Sequence, residues 1–247
     1  VLTVISKKVN IWLNFALYPV FSAAIAFGKV TAMQLIIVQV FANKVFRSYL
    51  VILVILFLIT FLLKKGDDIL IVNGAHSPLL DAFFAFYTSL GDGIIFVPLI
   101  IFLLFVRFQY AIAGLLIALL NGILVSIFKR LLFHGAPRPR SVLGDSLIHI
   151  VQGVPVHSFN SFPSGHTATA FCFALFIAYL CRNSWVTFFS LVYALLIGYS
   201  RIYLAQHFLI DVAAGAIVGS FATFALCVVF ELNQGPKWFD NRMSLRL

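Results

Sequence analysis

The 247-residue sequence predicts an all-α protein, a polytopic membrane helical bundle, and three observations carry that prediction. Hydrophobic residues make up 62% of the chain, charged residues only 10%, and mean hydropathy is +1.07. The apolar residues gather in runs approaching the ~20 residues that a helix needs to cross a bilayer. These runs lack the alternation of a barrel strand, and only helices or closed barrels satisfy the backbone inside lipid. The composition excludes a soluble domain and a disordered chain; 15 Gly and 8 Pro exclude collagen, and 3 Cys exclude a disulfide scaffold. The net charge of +9 does not point to nucleic acid, because the 17 basic residues are scattered between apolar runs instead of clustered on a soluble face.

Residues 1–47 form an N-terminal apolar segment whose placement the sequence leaves open. Asn10 to Phe27 is apolar enough to span, and 31–46 is a shorter apolar stretch broken by Lys44 and Arg47. Lys7-Lys8, the apolar centre and Ala24-Ile25-Ala26 also imitate a signal peptide. A polytopic protein needs no cleaved signal, which favours an extra transmembrane or interfacial helix. From Ser48 onward six core transmembrane helices are expected, at about 48–63, 93–106, 109–128, 165–181, 185–203 and 208–230, within a domain covering 48–231. The breaks are polar: Lys64 to Asp68, Arg107 to Gln109, the stretch 131–163, Arg182 to Ser184, and Gln206-His207.

Between the first two spans, Ser77-Pro78 supplies an N-cap and a first-turn proline, followed by Leu79, Leu80, Phe83, Phe84, Phe86, Tyr87 and Leu90 at helical spacing. This segment reads as an interfacial helix or as a connecting helix packed on the bundle. Trp185 and Trp238 fall near span ends, where indoles favour the headgroup layer. Cys172 and Cys181 lie roughly 13 Å apart by helix rise, beyond the ~7 Å limit for a disulfide. With Cys227 they are expected to be packing residues. Gly215 and Gly219, four apart, suit close helix packing inside the bundle or a dimer contact, and oligomeric state is not readable. Residues 232–247 are expected to form a cytoplasmic tail.

Three short segments keep charge or histidine at span ends, where such groups are costly unless used or solvated. The first runs from Lys129-Arg130 through His134 to Pro137-Arg138-Pro139-Arg140. Basic residues at a helix end also favour the macrodipole, which covers Lys129 and Arg130 but not an arginine held between two prolines. The second, Ser161 to Thr167, opens the fourth span; free N–H groups at a helix start bind anions, and His166 sits in that first turn. The third is Ser200-Arg201 with His207 and Asp211. Four residues apart on a helix, the carboxylate and imidazole share a face, and the acid can orient the ring. From Lys129 to His166 the chain leaves and re-enters on one side, and two spans separate His166 from His207. All three segments therefore emerge on the same face. Cations, two imidazoles and N–H donors converging there suit a tetrahedral oxyanion, most plausibly a phosphate.

These residues resemble the type 2 phosphatidic acid phosphatase superfamily, whose signature is K-x6-RP, then PSGH, then SR-x5-H-x3-D. Pro163-Ser164-Gly165-His166 and Ser200-Arg201-x5-His207-x3-Asp211 match in full. The first block departs, with eight residues between Lys129 and Arg138-Pro139, so Arg130 is the possible substitute for the lysine. The resemblance covers about residues 48–231. It implies that His207 is the nucleophile, oriented by Asp211, and that His166 is the general acid. It also implies that Lys129, Arg138, Arg201, Ser164 and the Gly165 N–H hold the phosphate oxygens. Phosphoryl transfer would then run through a phosphohistidine with no metal or cofactor.

Setting aside the three basic residues assigned to the site, Lys64, Lys65, Arg130 and Arg140 lie on the site's side. Lys44, Arg47, Arg107, Arg182, Lys237, Arg242 and Arg246 lie on the other. The positive-inside rule then points the site away from the cytoplasm, toward the periplasm or exterior if this is a bacterial inner-membrane protein. The expected partner is a lipid phosphate within the bilayer, alongside membrane lipids and no nucleic acid: a prenyl diphosphate, phosphatidic acid, phosphatidylglycerol phosphate or a lipid A phosphate. The 139–162 loop is the candidate headgroup reader, with His134, His149 and His157 read as loop surface residues. Rival readings are a lipid phosphotransferase, a non-catalytic lipid-phosphate-binding protein and a transporter. The last calls for charges near mid-bilayer and broken helices, whereas these charges cluster at one end of the spans.

Overall fold

A computed structural model describes residues 43–232 together with Asp240, Asn241 and Met243. Almost all of these belong to one structural unit, beginning at Val45. The expectations for residues 1–42, and for most of the tail including Trp238, lie outside the described residues. Helix α1 (Lys44–Ile59) is followed by α2 (Asp67–Gly74) and α3 (Pro78–Tyr87). Two single 3-10 turns, Thr88–Gly91 and Gly93–Ile95, lead into α4 (Phe96–Val106) and α5 (Phe108–Ile127). A π-helical turn, Phe128–Leu132, extends α5; α6 (Pro139–Leu143), α7 (Gly165–Cys181), α8 (Ser184–Tyr203) and α9 (Leu209–Leu232) complete the bundle. Among the described residues there is no strand.

Among the described residues three helices are long and apolar enough to cross a membrane: Phe108–Leu132, Ser184–Tyr203 and Leu209–Phe230. The other three expected spans are helical but shorter. Gly93–Val106 and Gly165–Cys181 are apolar helices of 10–17 residues, and α1 has 16. The helices at 93–106 and 165–181 keep the expected bounds, while the first ends at Ile59 because the turn at Thr60 to Leu62 takes residues that hydropathy counts as span. The charged break at 64–68 also conceals a helix. Gly66, at φ 105°, turns the chain into α2, and α2 and α3 meet at a 115° bend. Ser77 caps α3 as expected, its hydroxyl accepting from Leu80 N at 3.4 Å. Leu79, Phe83 and Phe86 are exposed along α3 while Phe84 is buried against Tyr203.

Helix α7 is the central element, packed against α5, α8 and α9. Lipid tails are as apolar as leucine, so close backbone approach holds such helices together better than apolar burial does. Gly215 and Gly219 supply it: a Cβ at Gly215 would overlap the Ser164 carbonyl oxygen, and one at Gly219 the carbonyl of Ala168. The two glycines thus serve packing inside the bundle. Polar side chains are paired across helices, as in Tyr49 to Ser190 (2.9 Å) and Thr223 to the Cys172 carbonyl (3.0 Å). Cys172 and Cys227 are buried packing residues; Cys181 is exposed at the C-terminal end of α7, where the helix runs out of neighbours.

Candidate active site

Lys129 occupies the π-helical turn, where Phe133 N donates to the Phe128 carbonyl, five residues back, at 2.8 Å. Such a turn takes in more chain than an α turn. It and the Phe133–Ala136 turn absorb the longer spacing before Arg138. Lys129 is half-buried and within electrostatic range of Arg138, Arg201 and Asp211, whereas Arg130 is exposed.

Arg138 is fixed by its backbone as much as by its prolines. The chain before and after the 139–162 loop is pinned together: Gly135 N donates to Asn160 Oδ1, Ser161 N to the Ala136 carbonyl, and Arg138 N to the Ser158 carbonyl. Asn160 makes this possible with φ at 57°, a left-handed conformation that asparagine tolerates. The buried guanidinium donates from Nε to the Phe159 carbonyl (2.9 Å) and from Nη1 to Gln206 Oε1 (3.0 Å) and the Gln206 carbonyl (3.2 Å). Gln206 in turn donates from Nε2 to the Pro155 carbonyl at 2.7 Å. One glutamine therefore joins the first and third sequence blocks.

Ser164 is the N-cap of α7; its hydroxyl accepts from Thr167 Oγ1 (2.8 Å) and Thr167 N (3.4 Å), which leaves the serine proton for a ligand. Gly165 and His166 begin the helix, so their N–H groups are among the first-turn donors that lack an intrahelical acceptor. A Cβ at Gly165 would meet only Val125 Cγ1, at an ordinary 3.6 Å. Protein packing does not require glycine there.

The third block departs from the expected single helix. His207 lies in the turn between α8 and α9, and Asp211 is in the first turn of α9. Asp211 Oδ2 accepts from Phe208 N at 2.9 Å, the reach of an N3 acid back to the N-cap N–H. The same oxygen accepts from Ser161 Oγ at 2.5 Å and lies 3.5 Å from His207 Nδ1. Ser161 Oγ is itself 3.4 Å from Nδ1. His207 is therefore held at Nδ1, which leaves Nε2 for chemistry. Arg201, buried near the end of α8, donates from Nη1 to Thr88 Oγ1 at 2.6 Å, while its Nε has no partner among the described residues.

Arg201, Arg138, Lys129 and His166 all act electrostatically on His207, which places the three blocks around one point. Burial first, then these cations, push the His207 pKa well below the ordinary histidine value, so the ring is neutral near pH 7. A neutral imidazole with one nitrogen held, three surrounding cations and a helix N-terminus can bind a tetrahedral anion and attack it.

Four residues without a motif also belong here: Ser161, Gln206, Thr88 and Asp92. Asp92 Oδ1 lies 3.0 Å from His166 Nε2. His149 is not the simple loop-surface residue expected. Its Nε2 meets Asp81 Oδ2 at 2.8 Å, its ring stacks on His76 at 3.7 Å, and its backbone N and O both bond Asn73. Tyr203 OH donates to the other Asp81 oxygen at 2.6 Å, so the cluster fastens the 139–162 loop to α2, α3 and α8. His134 and His157 are exposed.

A family model described as the PAP2 superfamily matches residues 109–234. The chain is 32% identical over 164 residues to the lipid A 4'-phosphatase of Bacteroides thetaiotaomicron, covering 62% of this chain and 71% of that protein. The crystal structure of Aquifex aeolicus LpxE superposes with a TM-score of 0.60 at 33% identity, covering 66% of this chain and 94% of that one. The crystal structure of the first transmembrane PAP2 type phosphatidylglycerolphosphate phosphatase from Bacillus subtilis shares the fold, with a TM-score of 0.53 at 24% identity over 76% and 96% of the two chains. With the family match covering all three blocks and the helices that carry them, and the blocks gathered around one point, this chain belongs to the PAP2 superfamily.

Proposed function

We propose that this PAP2 membrane phosphatase removes a phosphate from a lipid A-type glycolipid, by double displacement through a phosphohistidine. The observation that carries the reaction is the convergence of Lys129, Arg138, Arg201 and His166 on a neutral His207 held at Nδ1 by the Ser161–Asp211 pair. His207 Nε2 attacks phosphorus as the P–O bond to the lipid breaks, and His166 gives a proton to the leaving oxygen. Water then attacks the phosphohistidine; His166 takes a proton from it, the P–N bond breaks, and His207 returns to its starting form. The cations and the α7 N-terminus offset charge on the non-bridging oxygens, so the positive charge that a metal would supply comes from side chains. The kinship with a lipid A 4'-phosphatase supports the substrate class. The distribution of basic residues favours a site facing away from the cytoplasm.

Phosphate release from lipid A, phosphatidylglycerol phosphate, phosphatidic acid and a prenyl diphosphate, each in detergent with EDTA, tests this reading. Lipid A should be turned over fastest and chelation should leave the rate unchanged. Release from none of the four, or loss of turnover on chelation, would contradict it.

A further inference from the structure

The imidazole that serves as acid faces an electrostatic difficulty. Burial first, and then Arg201, Lys129 and Arg138, the cations that suit a phosphate, oppose a positive charge on the His166 ring that must donate a proton. One carboxylate contact answers this. Asp92 joins the two 3-10 turns between α3 and α4 in an extended conformation (φ −74°, ψ 148°), and its Oδ1 lies 3.0 Å from His166 Nε2.

The turn that carries Asp92 is tightly seated. A Cβ at Gly91 would meet Ile197 Cγ2 at 2.7 Å, His166 Cβ at 3.2 Å and the His166 carbonyl oxygen at 3.3 Å, so glycine alone lets the turn lie against the start of α7. Thr88, at the other end of the same turn, receives Arg201 Nη1 at 2.6 Å. Asp92 also acts electrostatically on Arg201. The segment from Thr88 to Asp92, outside the three signature blocks, thus touches both the acid and a phosphate-binding cation.

We propose that Asp92 is the positioning residue of the general acid: it faces His166 at Nε2 and favours the charged ring, so that the Nδ1 proton is the one delivered to the leaving oxygen. This rests on the reading of His166 as the acid. The two histidines are then held in opposite senses, His207 at Nδ1 with Nε2 presented to phosphorus, and His166 at Nε2 with Nδ1 presented to the leaving group. The proton lost from Nδ1 in the first step is regained from water in the second, and Asp92 exchanges no proton with substrate but orients the ring and supports the imidazolium. The charged and titratable groups around His166 are Lys129 from the π-helical turn, Arg138 from the loop, Arg201 from α8, His207 from the α8–α9 turn and Asp92 itself.

The test is the pH profile of kcat/KM for Asp92→Asn and Asp92→Glu beside wild type, on an alkyl lipid phosphate and on para-nitrophenyl phosphate, whose leaving group needs no proton. Removing the carboxylate withdraws the counter-charge of the imidazolium, so the alkaline limb of Asp92→Asn should move to lower pH. Activity on the lipid phosphate should fall about 10- to 100-fold, part of what a general acid supplies. The loss on the nitrophenyl ester should be much smaller, and Asp92→Glu should restore part of the rate. Asp92 is half-exposed, at 51%, so the asparagine variant keeps the fold, which the melting temperature in detergent checks. An unmoved alkaline limb, or equal losses on the two substrates, would overturn the proposal. Wild-type turnover of the lipid phosphate, measured in the same series, reports separately on the proposed function.

Discussion

Ser161 Oγ donates to Asp211 Oδ2 at 2.5 Å, and both atoms face His207 Nδ1, from 3.4 and 3.5 Å. The carboxylate that faces the His207 imidazole is therefore shared with a buried hydroxyl from the end of the 139–162 loop. Replacing Ser161 by alanine should leave Asp211 with the Phe208 N–H and the imidazole, and cost about 1–2 kcal/mol of transition-state stabilisation, roughly 10-fold in kcat. Asp211→Asn should cost far more, because the amide can hold the wrong tautomer. Steady-state kinetics of the two variants checks the order; equal losses would show that the serine, and not the acid, sets the ring.

The π-helical turn decides between the two basic residues of the first block. Lys129 reaches the site electrostatically while Arg130 is exposed. Lys129→Ala should lower kcat/KM by about 100-fold, the scale for losing one donor to a developing oxyanion. Arg130→Ala should stay within about twofold of wild type, a surface substitution away from any site. A reversed pattern would place the arginine in the site.

Helix packing and catalysis meet at Gly215, whose missing Cβ makes room for the Ser164 carbonyl, whereas Gly219 faces Ala168 one turn deeper. Both Gly→Ala variants should melt at lower temperature in detergent, overpacking costing about 1–3 kcal/mol. Only Gly215→Ala should also lose activity out of proportion, because the residue it displaces, Ser164, caps the start of α7. Proportionate losses in both would remove Gly215 from any link to the site.

The His207 pKa is depressed, so the ring is deprotonated, and able to attack, down to pH values below the ordinary one of about 6.5. Activity lost through protonation of the nucleophile should therefore appear only below about pH 6.5, as an acid limb in kcat/KM once the substrate's own ionisation is removed. An acid limb assigned to His207 and centred above that value would contradict the buried, cation-surrounded geometry.

Much of this was legible in order along the chain. Apolar runs locate the helices because lipid leaves the backbone no alternative to internal hydrogen bonds. The parity of spans between Lys129, His166 and His207 brings the three blocks to one end without any knowledge of packing. What escaped has local causes. Lys64 to Asp68 reads as a break, yet Gly66 and the two acids start a helix there. Residue spacing counts positions and not turns, so the wide turn at Phe128–Leu132 appeared only as a mismatch with the K-x6-RP pattern. The His207–Asp211 offset of four suggests one helical face, but a turn residue and a capping acid give the same pairing. Asp92, Thr88 and Ser161 carry no motif of their own, and their partners lie far away in sequence. Asp81 and His149, 68 residues apart, meet for the same reason.

The central claim is a covalent intermediate on His207, and trapping it is the most direct measurement. Wild-type protein mixed with phosphorus-labelled lipid phosphate and quenched in alkali should carry base-stable, acid-labile label, mapped by peptide mass spectrometry to His207 and absent from His207→Ala. Turnover by His207→Ala at the wild-type rate, or label mapped to His166 instead, would contradict the account.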